Sequence, residues 1–271
     1  MENKNTIEVI AEIGWNHVGD MNLAKKMIKS ASENGATFAK FQSWSVSRLK
    51  PGSWDNDGRR EIYEKAELSK ENHIDLISFC NQNKINFLSS VFSIEDAKLL
   101  LELKCRAVKI PSFESRNIEL IKFCDQNFDR VIMSCGTAKF SEIVNSYSFF
   151  KKTELILLHC VSMYPCNYEN ANISKMLELM KIHNKVGYSD HIQGVESAKI
   201  AIGLGAKVIE KHFTIDNNLP GRDNKFAILP EELKDLTNYI SNMKKMFMNH
   251  GLDFQQGEED SRLNYEGRFN G

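Results

Sequence analysis

Short apolar runs alternate with stretches of helical periodicity along almost the whole chain. Residues 7–13 read as a first strand, and 37–42, 85–90 and 106–110 as the second to fourth. Arg130–Ser134 and Glu154–Cys160 follow as the fifth and sixth, and short runs at 186–188 and 208–209 as the seventh and eighth. Between them lie helical patterns. Asp20 is an N-cap for a helix over 21–34, in which Leu23, Met27, Ile28 and Ala31 recur at helical spacing and Gly35 is the stop. Ser69, Ser93 and Asn117 open further helices, 141–151, 171–183 and 195–204 are helical, and Pro230 starts the last one. Strands alternating with helices in this way predict a single (β/α)8 barrel over residues 1–250. The competing open, doubly wound sheet would show a Gly-rich phosphate turn after an early strand, and none is present.

Two segments stand outside the pattern. Residues 43–68 form a long polar connection containing Trp44, Trp54, Arg48, Arg59 and Arg60, expected to be a functional lid or a disordered insertion. Residues 251–271 are polar, glycine-punctuated and without a convincing core element.

Composition narrows the setting. A net charge of −1 gives no basic excess to hold nucleic acid phosphates. The six cysteines are scattered with no C-x-x-C pair, as for reduced thiols, and Cys80, Cys105 and Cys124 are expected to be small buried hydrophobes. No apolar run approaches a membrane span, and the polar start at Met1 to Asn5 is unlike a signal peptide. The expectation is a cytoplasmic protein without membrane or nucleic acid partners.

The polar residues gather at the carboxyl ends of the predicted strands, where this architecture builds its sites. His191 and His212 follow the seventh and eighth runs, one βαβ unit apart, and so stand side by side as a divalent-metal pair. Alone, each would more often be structural, one capping a strand and one packed in the core. Glu210 shares the side of His212 at a strand terminus and can reach a metal or support a ligand, whereas Asp190 points away from His191. Glu12, Asn16, His17, Gln42, Ser89, Ser90, Ser112, Ser134, Thr137, His159, Ser162, Tyr164 and Ser189 complete the strand ends. Lys40 and Lys109 matter most, because a lysine late in a buried strand needs a carboxylate or a bound anion. With several serine hydroxyls they describe a site for a small, multiply charged anion such as a phosphorylated acid. A purely structural role would pair them with Glu12 and Glu114.

Ala11-Glu-Ile-Gly-Trp-Asn-His-Val-Gly-Asp20, Lys40-Phe-Gln42, Lys109-Ile-Pro-Ser112, His159-Cys-Val-Ser-Met-Tyr-Pro165, Gly187-Tyr-Ser-Asp-His191, Glu210-Lys-His-Phe-Thr214 and Pro220-Gly-Arg-Asp223 occur in this order. In this the chain resembles the sialic acid (N-acetylneuraminate) synthase family, over about residues 8–233. The resemblance implies condensation of phosphoenolpyruvate with an open-chain, N-acetylated aldose to give a 2-keto-3-deoxy sugar acid and phosphate. It further implies a divalent metal, manganese with magnesium or cobalt as alternatives, on His191 and His212. Lys40, Lys109, Ser90, Ser112, Ser134 and Ser189 would hold phosphoenolpyruvate, Glu12 would be the catalytic carboxylate, and Gln42, Tyr164 and Asp223 would face the sugar. Ser162 stands where the family commonly has an asparagine that contacts the reactants. The family's C-terminal antifreeze-like domain, whose arginine reads the N-acetyl group across a dimer, has no counterpart in the 271 residues, and 251–271 resembles only the linker to it. A homodimer through the barrel, or a separate chain supplying that domain, is therefore the expected partner. Two other functions fit the residues. One is condensation with a phosphorylated aldose (octulosonate or heptulosonate type), with Arg48, Arg59, Arg60 and Arg222 as the second phosphate site. The other is a non-catalytic sugar-binding or regulatory barrel.

Overall fold

A computed structural model describes residues 7–270, so the Met1 to Asn5 stretch lies outside the described residues. The chain begins β1 (Glu8–Gly14), α1 (Met21–Glu33), β2 (Phe38–Ser43), α2 (Arg59–Ala66), α3 (Lys70–Gln82) and β3 (Asn86–Val91). It continues α4 (Ile94–Glu102), β4 (Ala107–Ile110), α5 (Ile118–Asn127), β5 (Arg130–Ser134), α6 (Phe140–Tyr147) and β6 (Glu154–Cys160). Then come α7 (Ser174–Ile182), β7 (Val186–Asp190), α8 (Glu196–Gly203), β8 (Val208–His212), α9 (Pro230–Met246) and α10 (Glu259–Tyr265). The eight described strands pair in sequence order and close, with β8 against β1 in register Glu8 with Val208 and Glu12 with His212. This is a parallel (β/α)8 barrel. No helix among the described residues is long and apolar enough to cross a membrane.

The caps read from sequence do their work. Asp20 accepts from the N–H groups of Asn22 and Leu23, Ser69 from Asn72, Ser93 from Asp96 and Asn117 from Leu120. Helix α6 stops at Tyr147, four residues before the expected end. Cys80 and Cys124 are buried as expected, but Cys105 is only half-buried.

Alternation along the strands sorts the side chains into two cores. One face packs outward onto the helices, with Ile13, Phe41, Val91, Ile110, Met133, Leu157 and Tyr188 in the main cluster. The other face lines the barrel, where Ile10, Phe38, Leu88, Ile132, Ile156, Leu158 and Val208 form a separate apolar layer. Below that layer the N-terminal end is stoppered. Arg130 at the start of β5 donates from Nη1 to Glu8 Oε1 of β1 at 3.0 Å, reaching across the full width of the barrel. Its guanidinium also lies 5.7 Å from the centre of the Phe38 ring.

Residues 43–68 are ordered, with α2 as their longest element. The segment is fastened at several points. Trp44 Nε1 donates to the Tyr63 carbonyl at 3.3 Å, Val46 N donates to Glu67 Oε2 at 3.1 Å, and Arg48 is ion-paired with Asp96 at the start of α4. Gly19 allows the end of α2 to dock on the β1–α1 loop. Its φ is +84°, and a Cβ there would sit 2.2 Å from the Lys65 carbonyl oxygen. Beyond α9 the chain is exposed throughout residues 247–270.

Candidate active site

Two residues along each strand from the apolar layer, the barrel lining turns polar. Ile10 gives way to Glu12, Phe38 to Lys40, Leu88 to Ser90, Ile132 to Ser134, Leu158 to Cys160 and Val208 to Glu210. All six polar residues open into a cavity of about 850 Å³ at the carboxyl ends of the strands. Lys109, Gln42, Ser112, Ser189, Tyr164, His191, His212 and Asp223 line the same cavity.

At its floor, two lysines face two carboxylates. Lys40 Nζ lies 2.7 Å from Glu12 Oε2 and 3.5 Å from Glu210 Oε2, and donates to Ser90 Oγ at 2.9 Å. Lys109 Nζ lies 3.6 Å from Glu210 Oε1 and donates to Ser134 Oγ at 2.6 Å. Ser189 donates to Glu210 Oε1 at 2.8 Å, and Gln42 Nε2 donates to Glu12 Oε1 at 2.6 Å. The alternative structural pairing of Lys109 with Glu114 does not form. Its carboxylate is Glu210 from the far side of the barrel, while Glu114 instead accepts from Asn117.

Burial lifts the Glu12 carboxyl above its ordinary range, with Lys40 offsetting only part of the effect. Glu210 is equally buried but sits between both ammonium groups, which hold it down at about 2. Burial works against the charge on both lysines. Glu12 and Glu210 overcome it at Lys40, which is raised, whereas Glu210 does not overcome it at Lys109, which is lowered. The two neighbouring carboxylates therefore differ, Glu12 being the more readily protonated and Glu210 a fixed anion.

Above this floor the imidazoles of His191 and His212 face each other with centroids 5.3 Å apart. His191 Nδ1 lies 2.7 Å from the Val161 carbonyl, which only accepts, so Nδ1 carries a proton and Nε2 is the nitrogen left for a ligand in the neutral ring. Burial disfavours charge on this ring, but the Cys160 thiol and that carbonyl outweigh it and raise its pKa. Burial, with His191 adjacent, holds His212 well below the usual imidazole range and so neutral. His212 Nδ1 and Glu210 Oε2 are buried without a hydrogen-bond partner, and Glu12 Oε2 meets Lys40 without hydrogen-bond alignment. Among the described residues no three His, Cys, Asp or Glu side chains converge as a finished ligand cage. Two adjacent imidazoles beside unsatisfied carboxylate oxygens nonetheless fit a borderline divalent ion that keeps open positions for water and substrate. Tyr164 packs 4.2 Å from the His191 ring, centroid to centroid, and at 42% exposed it forms the rim.

The strand-end residues divide by parity. Ser89 turns outward to Ser43 at 2.7 Å, and His159 Nε2, also outside the lining, donates to the Ala171 carbonyl at 2.9 Å. Asp190 faces away from the cavity as expected and pairs with Lys211 at 3.1 Å. Ser162 is not on the cavity wall. Its hydroxyl lies 3.8 Å from Cys160 Sγ. Gly136 makes room for this layer, since a Cβ there would sit 2.6 Å from Ser112 Oγ and 2.5 Å from Ser162 Oγ.

His17 is also off the wall. It is buried against Phe41, and Nδ1 accepts from the Gly19 N–H at 3.1 Å. Burial takes its pKa down to about 4. Above about pH 6.5 the ring is neutral in both native and unfolded chains, so it costs nothing. As the pH falls from 6.5 towards 4 the unfolded chain takes up a proton that the native state refuses, removing about 3 kcal/mol of stability. His17→Gln keeps an acceptor for Gly19 and is expected to flatten this part of the curve, read by urea denaturation at pH 7, 5 and 4. An unchanged slope would place the acid sensitivity elsewhere.

Several wall residues were not singled out from sequence as site residues, among them Trp15, Tyr63, Cys160 and Phe226. Cys160 was the most accessible of them, because it shares the strand parity of Leu158. All three tryptophans of the chain, Trp15, Trp44 and Trp54, line the cavity. Arg48, Arg59 and Arg222 line it too, but Arg60 turns away to Asp55 and Glu64.

The sequence profile of the NeuB family matches residues 27–251. The chain is 35% identical to the N,N'-diacetyllegionaminic acid synthase of Campylobacter jejuni, over 94% of this chain and 81% of that protein. It is also 35% identical to the N,N'-diacetyllegionaminic acid synthase of Legionella pneumophila, over 87% of this chain and 71% of that protein. The crystal structure of the N-acetylneuraminic acid synthetase from Leptospira borgpetersenii superposes with a TM-score of 0.86 at 32% identity, covering 100% of this chain and 96% of that one. A profile that takes in most of the barrel and relatives that share about a third of its residues lead to one conclusion: the chain belongs to the NeuB family.

Proposed function

We propose that the protein condenses phosphoenolpyruvate with an open-chain, N-acetylated aldose, with a divalent metal, to give a 2-keto-3-deoxy acid of the nonulosonic type and phosphate. The observation that carries this reading is the floor of the cavity, where Lys40, Lys109 and the hydroxyls of Ser90, Ser112, Ser134 and Ser189 surround one space beneath the two imidazoles. Lysines and hydroxyls hold the phosphate and carboxylate of phosphoenolpyruvate in place, which lowers the barrier by orientation and by fixed charge. The electrons of its C=C bond form the new C–C bond to the aldehyde carbon, and the aldehyde oxygen takes up a proton. Water adds at the cationic C2 and gives up a proton, for which Glu12 is the acceptor. The C–O bond of the hemiketal phosphate then breaks, phosphate leaves with the bonding pair and takes the hydroxyl proton, and C2 becomes the ketone. A divalent ion on His191 and His212, manganese in this reading, would supply Lewis-acid polarisation of the aldehyde oxygen. Gln42, Tyr164 and Asp223 are assigned to the sugar.

A phosphorylated aldose is the second reading, favoured by Lys50 and Arg222 on the cavity wall. Against it, Arg48 is already committed to Asp96 and Arg59 to Asp57. A homodimer, or a further chain over the mouth, would complete recognition of the N-acetyl group. The deciding measurement is phosphate release from phosphoenolpyruvate and manganese with N-acetylmannosamine, its 6-phosphate, diacetamido-trideoxyhexoses and plain aldose phosphates, with and without chelator. Chelator-sensitive release with an N-acetylated, unphosphorylated sugar is expected. Release confined to aldose phosphates would select the second reading, and failure to bind phosphoenolpyruvate would overturn both.

A further inference from the structure

Trp15 and Asp223 are 208 residues apart in sequence, yet the Trp15 indole Nε1 donates to Asp223 Oδ2 at 2.6 Å. Trp15 leaves the barrel in the loop after β1, and Asp223 lies in a short turn beyond β8. The same Asp223 oxygen lies 3.5 Å from His212 Nδ1. Asp223 is buried, and among the described residues no protein group hydrogen-bonds to its other carboxylate oxygen. The indole is itself held. Its ring centroid is 5.0 Å from that of Tyr63 in α2 and 6.3 Å from that of Trp44 at the end of β2. One side chain thus ties the wall built by residues 43–68 to a carboxylate at the metal-binding imidazoles.

We propose that Trp15 is a positioning residue, which fixes one oxygen of Asp223 so that the other meets the aldose in a single orientation. The claim rests on the reading of the site given above. An indole N–H only donates and does not titrate, so it orients the carboxylate without adding a charge beside a bound cation. Packing against Tyr63 and Trp44 asks only for an aromatic ring. The short bond to a buried carboxylate asks for the nitrogen, and a hydrogen bond to a buried charged group is among the stronger kinds.

Trp15→Phe keeps the ring and removes the donor. With manganese and phosphoenolpyruvate saturating, the KM for the aldose is expected to rise roughly tenfold or more, as loss of a charged hydrogen bond implies. The KM for phosphoenolpyruvate should stay within about twofold, because Lys40 and Lys109 are untouched, whereas a general loosening of the barrel would raise both. Trp15→Phe added to Asp223→Asn should cost little more than Asp223→Asn alone, since both act through one contact. An unchanged aldose KM, a parallel rise for both substrates, or full additivity would each overturn the proposal. A second measurement does not depend on turnover. In the 15N-labelled protein the Trp15 indole proton, assigned as the signal lost in Trp15→Phe, should move upfield in Asp223→Asn while those of Trp44 and Trp54 stay. Movement without activity on any aldose would mean that the contact stands and the reaction class is wrong; no movement would remove the contact itself.

Discussion

The Glu12→Gln protein is expected to lose roughly 10²- to 10⁴-fold in turnover while binding phosphoenolpyruvate at least as well as the native protein. The substitution keeps shape and removes charge and basicity. In the native floor two ammonium groups balance two carboxylates, Lys40 and Lys109 against Glu12 and Glu210. Without the Glu12 charge the cluster carries a net positive charge, which favours an incoming anion. Lys40 keeps Glu210 at 3.5 Å, so it is not stranded. The position loses the only one of the two carboxyls that burial makes ready to exchange a proton, because Glu210 is held at about 2. Single-turnover phosphate release beside calorimetric titration of phosphoenolpyruvate separates the two effects. Retention of more than about a tenth of the rate would take Glu12 out of the proton-transfer role, since general acid–base groups contribute more than that.

Lys109→Met is expected to weaken phosphoenolpyruvate binding by roughly 30-fold to several thousand-fold, because removing one partner of a desolvated charge contact costs about 2–5 kcal/mol. It leaves the floor with a net negative charge and Ser134 without its donor. If Lys109 served only to neutralise Glu210, the variant would instead be chiefly a stability mutant. The double variant Lys109→Met/Glu210→Gln decides between these. Removing both charges should recover much of the lost stability in either case. Recovery of phosphoenolpyruvate affinity as well would make Lys109 structural, and stability without affinity would make it part of the anion site.

The barrel was legible because its strands are short, apolar and separated by capped helices, and each N-cap named from sequence opens a helix in the structure. The inward set was partly legible by the same period of two, which places Ser90 inside and Ser89 outside. What escaped were contacts set by closure. Lys109 and Glu210 sit on β4 and β8, on opposite sides of the ring, so no local pattern foretells that they meet. Helix α2 escaped for a different reason. Only Ala66 in it is buried, so it carries no apolar stripe, and it is held by docking on Gly19 and by the Trp15, Trp44 and Tyr63 rings. The aromatic wall is accordingly a product of tertiary packing, legible in composition as three tryptophans but not in position.

The bridge from Arg130 to Glu8 has a consequence for traffic. With an apolar layer above it, it shuts the lower end of the barrel, so the pocket is reached from the carboxyl ends of the strands. The groups that Lys40 and Lys109 hold therefore lie deeper than those that meet Tyr164 on the rim. This layering is a property of the scaffold and holds whichever sugar takes the outer place.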